Sequence, residues 1–184
     1  IQTLISLYLI VMLLRFLLQL VRADFYNPVS QFIVKVTNPL VVPARKLIPG
    51  YAGLDIASLV LALLLQIIGI SAVFLIRYSA LPSPGLLFMG GLLGIIALLV
   101  KIYFFALLAM IILSWVAQGS NHPAIYLLFQ ITEPVMAPVR KLLPPMGGID
   151  FSPIIVFVLI NVVQIALQHM AASVGVLGLA PWLS

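Results

Sequence analysis

The sequence contains no cysteine and very little charge. Nine basic and four acidic residues make up 7% of its 184 positions, whereas a soluble domain carries about 25% charged residues. So few charges cannot cover a surface that faces water, which excludes a soluble enzyme, a disordered tail and a nucleic-acid-binding domain. The absence of cysteine excludes disulfides, thiolate metal sites, iron–sulfur clusters and cysteine nucleophiles.

The residue groups that catalysis and cofactor binding require are missing as well. The two histidines, His122 and His169, stand alone and have no ligand spacing between them. The sequence has no phosphate-binding loop, no nucleophile elbow and no His–acid pair. We therefore expect a protein that is not an enzyme and that binds no cofactor, metal or nucleic acid.

Long apolar stretches dominate the rest of the chain, of which 64% is hydrophobic. Four of them are long enough to cross a hydrocarbon core, which takes roughly 20 helical residues. The first begins without a basic segment or a cleavage site, so we interpret it as a transmembrane helix and not as a signal peptide. The sequence predicts an all-α membrane protein with spans at residues 1–21, 56–76, 95–116 and 154–172.

An internal repeat relates the two halves of the chain at an offset of 95 residues. Nine residues are identical in 23 ungapped positions between TNPLVVPARKLIPGYAGLDIASL, from Thr37, and TEPVMAPVRKLLPPMGGIDFSPI, from Thr132. We call the following identical residues the repeat motif: Thr37, Pro39, Pro43, Arg45, Lys46 and Asp55 in the first copy, and Thr132, Pro134, Pro138, Arg140, Lys141 and Asp150 in the second.

Each repeat is predicted to consist of a span, a motif segment and a second span. Two crossings per repeat place both motif segments on the same side of the membrane, so the repeats are parallel. The predicted boundaries are 1–76 for repeat 1 with its motif at 22–55, 77–94 for the connection, 95–172 for repeat 2 with its motif at 117–150, and 173–184 for the tail. In the connection, Gly90 and Gly94 have the spacing of a close helix contact.

The distribution of basic residues predicts an orientation. Six of the nine lie in the two motif segments, and one, Arg77, lies in the connection between the repeats. Basic residues concentrate in the cytoplasmic loops of membrane proteins. We therefore expect the motif segments in the cytoplasm and both termini outside.

Each motif segment is predicted to begin with an amphipathic helix that lies on the membrane surface. We expect Pro39 and Pro134 to break this helix, because proline disfavours helix at the residue before it. Pro43 and Pro138 then begin another short turn that carries the Arg–Lys pair. Asp55 and Asp150 directly precede the next spans and suit their N-caps.

Two arrangements of the motif segment fit this pattern. In the first, the segment is an elbow at the membrane surface that is anchored to lipid headgroups. In the second, two half-helices of about ten residues, each about 15 Å long, dip into the bilayer as a re-entrant loop. Two loops that enter from the same side cannot meet tip to tip, which favours the elbow.

Polar side chains interrupt the first span. Arg15 and Gln19 share one helix face, and an arginine stranded in lipid costs several kcal/mol. We expect Arg15 to extend its long side chain to the interface, or to pair with Asp24 or with a motif aspartate.

The second and fourth spans carry amides. Asn161, Gln164 and Gln168 recur at i, i+3 and i+7, and Gln66 is the repeat mate of Asn161. Such a stripe is not expected to face lipid. It forms either hydrogen bonds between helices or the wall of a hydrated path.

Both motif segments resemble the duplicated signature of the YggT family of bacterial inner-membrane proteins. The resemblance is carried by RADFYNPVSQFIVKVTNPLVVPARKLIP, from Arg22, and FQITEPVMAPVRKLLPPMGGIDFSP, from Phe129. It covers nearly the whole chain, in the two-repeat form typical of proteobacterial members. One departure is Asn38, where the second copy has Glu133, so the two halves share no acid at that position.

This resemblance implies an integral protein of the bacterial inner membrane. Members of the family have been linked to osmotic or cation homeostasis, and plastid relatives to cytochrome assembly and to nucleoid or division-related roles. We expect an accessory or scaffold subunit that docks on, or helps to assemble, a larger membrane complex. The alternative is a permeation protein for ions or small solutes. The expected partners are the lipid bilayer and either another membrane protein or further copies of the chain.

Overall fold

The computed structural model of the protein describes residues 2–51, 53–116, 122–142, 150–180 and 182, without the side chains of residues 114 and 115. The described part of the chain is helical. Its helices are α1 (Gln2–Leu20), α2 (Pro28–Leu47), α3 (Ile56–Tyr78), α4 (Pro84–Val116), α5 (Pro123–Leu142) and α6 (Ser152–Ser173).

Four of these helices, α1, α3, α4 and α6, are long and apolar enough to cross a membrane. The chain is therefore a multi-pass membrane protein, and the predicted all-α fold with four spans is confirmed. The third span differs from its predicted bounds, because α4 begins at Pro84 and has 33 residues, about 50 Å of helix. No proline interrupts the chain between Leu86 and Val116, so the helix also includes residues 84–94, which we assigned to the connection.

Glycines of α4 let this helix approach α3 closely. A Cβ atom placed on Gly94 would lie 2.8 Å from Gln66 Nε2, and one on Gly91 would lie 2.9 Å from Ile67 Cγ1. A Cβ on Gly90 would lie 3.3 Å from Ile70 Cδ1. The close contact predicted from the glycine spacing is confirmed, and it is the small-residue contact that packs helices in membranes.

The predicted breaks in the motif segments are wrong. Helices α2 and α5 each run unbroken for 20 residues, with Pro39 and Pro43 inside α2 and Pro134 and Pro138 inside α5. No second turn begins at Pro43 or Pro138, and the pair of half-helices that a re-entrant loop needs is not formed.

The position of the prolines on the helix explains this continuity. A proline lacks an N–H and therefore leaves the carbonyl four residues earlier without its helical hydrogen bond. In α2, Pro39 frees the carbonyl of Lys35, and Pro43 frees the carbonyl of Pro39. Lys35, Pro39 and Pro43 all lie on the exposed face of the helix, where other donors can reach these carbonyls. The opposite face, with Ser30, Ile33, Thr37 and Val41, is buried against the bundle.

The repeat extends into the packing. Helix α1 packs on α2 and α3, α4 packs on α5 and α6, and α3 packs on α4. The repeat mates Met12 and Leu107 are both fully buried, as are Val41 and Met136. The amino ends of α2 and α5 meet where the Asn27 side chain caps α2 and donates to the Pro123 carbonyl at 2.8 Å. Asn121, a possible N-cap residue that precedes α5 in the sequence, lies outside the described residues.

Candidate functional site

An arginine–aspartate pair joins each motif helix to the span that follows it. In repeat 1, Arg45 donates to Asp55 from Nε at 3.2 Å and from Nη2 at 2.7 Å. In repeat 2, Arg140 Nε donates to Asp150 at 3.1 Å. Residues that the sequence showed only as identical in both copies thus form the same ion pair twice, and each pair fixes the carboxyl end of a motif helix.

Each aspartate also caps the following span, in a different way. Asp55 is the N-cap of α3, where it accepts from the Ser58 N–H at 3.3 Å and from the Ser58 hydroxyl at 2.6 Å. The repeat mate of Ser58 is Pro153, which has no N–H to donate. Asp150 accepts instead from the Ser152 N–H at 2.9 Å, and the N-cap of α6 is Phe151. The predicted N-cap is therefore correct for Asp55 and displaced by one residue for Asp150.

Hydrogen bonds keep both carboxylates ionised. Burial by itself raises the pKa of Asp55, but hydrogen bonds from Arg45 and Ser58 outweigh it, so that this pKa lies below its ordinary value. The pKa of Asp150 is also lowered, first by its bonds to Ser152 and then by Arg140. At neutral pH both residues therefore hold their arginines as full anions.

Arg15, a buried residue of α1, also contacts the aspartate of the first pair. Its side chain is only 5% exposed, and its Nε lies 3.7 Å from Asp55 Oδ2. Its Nη1 donates to Thr37 Oγ1 at 2.7 Å and to Asn38 Oδ1 at 2.8 Å. Of the expected arrangements, the structure shows the pairing with a motif aspartate, and further acceptors for Arg15 come from the motif helix α2. Its acid is the motif residue Asp55 and not Asp24, whose carboxylate accepts from the Tyr26 N–H.

Arg15, Thr37, Asn38, Arg45 and Asp55 form what we call the polar cluster. Gln19 completes it, since its Oε1 accepts from Arg45 Nη2 at 2.7 Å. The cluster therefore connects α1, α2 and the start of α3 through charged hydrogen bonds, which are about twice as strong as neutral ones. Sequence reasoning missed the contributions of Asn38 and Ser58. The serine three residues after Asp55 was an available capping signal.

The second repeat has different residues and contacts at the equivalent positions. Met110 stands where Arg15 stands in repeat 1, and the Thr132 hydroxyl contacts its sulfur at 3.3 Å. Glu133, the mate of Asn38, accepts from Arg140 Nη1 at 2.8 Å. In repeat 1 two arginines therefore share one carboxylate, whereas in repeat 2 one arginine binds two carboxylates.

The remaining motif residues are structural in their contacts. The threonines Thr37 and Thr132 each donate to the carbonyl four residues earlier, at 2.7 and 2.8 Å, a bond that bends helices. Lys46 and Lys141 are exposed in the last turns of α2 and α5, where a cation complements the helix dipole.

The amides of the spans are divided between the inside and the outside of the bundle. Gln66 is buried beside Gly94, at the contact of α3 with α4. By contrast, Asn161 and Gln168 are exposed and Gln164 is partly exposed. Asn161 donates to the Phe157 carbonyl of its own helix at 2.8 Å. We call Asn161, Gln164 and Gln168 the amide stripe, and it faces away from the described bundle.

Comparison with known proteins identifies the family. The family model CCB3/YggT matches residues 1–76 and 89–171. The chain belongs to the CCB3/YggT family. The model matches in two segments, one for each repeat, and the resemblance noted in the sequence is confirmed.

Two of the relatives match nearly the whole chain, and a third matches part of it. An uncharacterized protein of Pseudomonas aeruginosa is 48% identical over 176 residues, covering 95% of this chain and 89% of the relative. The uncharacterized protein YggT of Escherichia coli K12 is 41% identical over 174 residues, covering 95% and 90%. The uncharacterized protein ycf19 of Guillardia theta is 31% identical over 74 residues, covering 40% of this CCB3/YggT chain and 81% of the relative. No solved structure matches the chain.

Proposed function

We propose that this CCB3/YggT protein is a non-enzymatic scaffold of the bacterial inner membrane, whose last span docks on another membrane protein. The amide stripe carries the proposal. Asn161 and Gln168 are exposed on a membrane-spanning helix. Asn161 uses one N–H on the Phe157 carbonyl, which leaves, among the described residues, its carbonyl oxygen and the whole Gln168 amide to be satisfied. An amide group in an apolar medium without a hydrogen-bond partner costs roughly 2–7 kcal/mol. A polar face on a second protein removes this cost.

The contacts of the acidic residues support a role without catalysis. Asp24 closes a turn, Asp55 and Asp150 cap spans and bind arginines, and Glu133 binds Arg140. Among the described residues no group of three His, Asp or Glu side chains has metal-site geometry. Each acid thus has a structural task, and within the described part of α6 the amide stripe offers hydrogen-bonding groups to a partner.

The docking proposal predicts that the double variant Asn161→Leu, Gln168→Leu loses its partner. Each interhelical amide bond is worth about 1 kcal/mol, so removing two should weaken the association by roughly tenfold or more. The native complex, isolated in mild detergent, should contain one partner at fixed stoichiometry, and its recovery with the variant should fall accordingly.

A swapped variant, Asn161→Gln with Gln168→Asn, is the matched control because it keeps both amides, and it should retain most of the partner. Unchanged recovery with the leucine variant would contradict docking through the amide stripe. A pure homo-oligomer that conducts solute in liposomes would instead favour the permeation alternative, in which the amide stripes of neighbouring copies line a hydrated path.

We further propose that the motif helices lie on the cytoplasmic side. The six basic residues of the motif segments support this through the positive-inside rule. Reporter domains fused after Gly50 and after Pro145 should both report cytoplasm, and one fused after Ser83 should report the outside. Opposite locations for Gly50 and Pro145 would contradict parallel repeats.

A further inference from the structure

A cavity of about 560 Å³ opens beside the polar cluster, and we call it the arginine cavity. Its wall includes Arg15, Gln19, Arg22, Phe25, Val34 and Arg45. Cavities that hold small ligands or headgroups measure about 300–1,000 Å³. The size of this one therefore suits a phosphate group together with the group that it carries.

The charges around the arginine cavity do not balance. Three arginines line it, and Asp55 is the carboxylate that Arg15 and Arg45 share. The carboxyl ends of α1 and α2 contribute about half a negative charge each, which still leaves about one positive charge. Asp24 is not counted, because it lies outside the cavity wall and its carboxylate accepts from the Tyr26 N–H. Among the described residues Arg22 takes part in no ion pair, so an anion that enters the cavity meets an available guanidinium.

The backbone at Arg22 determines where its side chain lies. Arg22 has φ 52°, in the left-handed region, which costs an L-residue roughly 1–2 kcal/mol and where a glycine commonly ends a helix. Its N–H donates to the Gln19 carbonyl and the Ala23 N–H donates to the Leu18 carbonyl. This turn places the long cationic side chain of Arg22 at the cavity wall. A glycine would serve the left-handed conformation equally well, so the turn alone does not explain the arginine.

The second repeat provides an internal comparison. There the mates of Arg15 and Arg22 are Met110 and Ala117, and Arg140 already binds Glu133 and Asp150. The excess of positive charge is thus a property of the first repeat alone. If the arginines served only to join a motif helix to its span, the second repeat would need them equally.

We infer that the arginine cavity binds the phosphate group of an anionic molecule, through Arg22 and the exposed edge of Arg45. The planar guanidinium group of arginine matches the geometry of phosphate oxygens. Arg15, buried at the cavity wall, adds to the positive potential there. Phosphates of this kind occur in anionic lipid headgroups and free in solution. Phe25, 44% exposed at the cavity wall, offers an apolar neighbour to a lipid.

The test measures thermal unfolding of the full chain in a non-ionic detergent with three probes: short-chain phosphatidylglycerol, short-chain phosphatidylcholine and inorganic phosphate. A bound ligand raises the midpoint according to its concentration and affinity. We expect phosphatidylglycerol to raise it and phosphatidylcholine not to. A rise with inorganic phosphate as well assigns the site to free phosphate and supports the same chemistry.

Two variants make the result specific. Arg22→Gln removes an exposed side chain and should weaken binding about tenfold or more, the usual worth of a charged hydrogen bond. Lys35→Gln removes an exposed charge from α2, outside the cavity wall, and should change affinity less than about twofold. Equal losses in the two variants, equal stabilisation by both lipids, or no stabilisation by any probe would overturn the inference.

Discussion

Replacing Asp55 with asparagine is expected to lower the free energy of unfolding by roughly 3–5 kcal/mol, the usual cost of removing one partner from a buried ion pair. Asp55 is 1% exposed and serves two arginines, one of them buried. Asparagine keeps the shape and the capping ability of the side chain. The loss of unfolding free energy therefore measures the contribution of the negative charge. Chemical or thermal unfolding of the purified protein in detergent measures it.

Repeat 2 supplies the matched control for this variant. Asp150→Asn removes the same motif carboxylate, but Arg140 and Asp150 are 36% and 39% exposed and Glu133 remains bound to Arg140. We expect a loss of about 1 kcal/mol or less there, as for other exposed ion pairs. Equal losses at Asp55 and Asp150 would contradict the special role of the polar cluster.

A compensating variant tests whether the stranded arginine causes the loss. Adding Arg15→Met to Asp55→Asn introduces the residue that repeat 2 has at this position. Because an apolar side chain replaces an unpaired buried cation, at least about half of the lost free energy should return. A double variant less stable than Asp55→Asn would show that Arg15 stabilises the bundle without its acid.

The same charge gives the variant a pH signature. The pKa of Asp55 is lower in the folded state than its ordinary value, so its contribution to stability is fully present above about pH 3.9. It disappears as the pH falls through the folded pKa. The difference in stability between the native protein and Asp55→Asn should therefore be constant near neutrality and shrink in acid.

Replacing Gly94 with leucine is the second change with a large expected effect. A Cβ atom at this position already lies 2.8 Å from Gln66 Nε2, and Gln66 is buried. Overpacking costs about 1–3 kcal/mol, occasionally more, and leucine adds three carbon atoms beyond the clashing Cβ. We expect a loss of about 3 kcal/mol in unfolding experiments.

Gly85→Leu is the control, since a Cβ atom on Gly85 meets nothing within 4 Å. Leucine is also a better helix former than glycine by up to about 1 kcal/mol, so this variant should be as stable as the native protein or slightly more stable. Similar behaviour of the two leucine variants would contradict the close approach of α3 and α4.

Much of the fold follows from local composition. The four spans depend on apolar length, the repeat is visible as identities at one offset, and the glycine spacing indicates a close helix contact. The breaks predicted at Pro39 and Pro134 were wrong because the rule for proline considers the chain alone. In the structure both prolines lie on the exposed face of a helix whose other face is held by Thr37 or Thr132.

The candidate sites were less accessible from sequence. Spacing places Arg15 and Gln19 on one face of a helix, but which neighbour supplies their partners depends on how α2 packs there. For the same reason the amide stripe was predicted to face another helix or a hydrated path, although it points away from the described bundle. Helix faces can be derived from one sequence, whereas the direction in which a face points requires the tertiary arrangement.

The asymmetry between Arg15 and Met110 has an evolutionary consequence. In a dimer of identical single repeats, any substitution occurs twice, so a buried arginine and an unbalanced cavity would appear on both sides of the axis. Covalent fusion of the two repeats removes this constraint, because each half then mutates alone. In one half of this chain the motif arginine is fully paired with acids and holds the shape, and the other half is free to acquire a ligand.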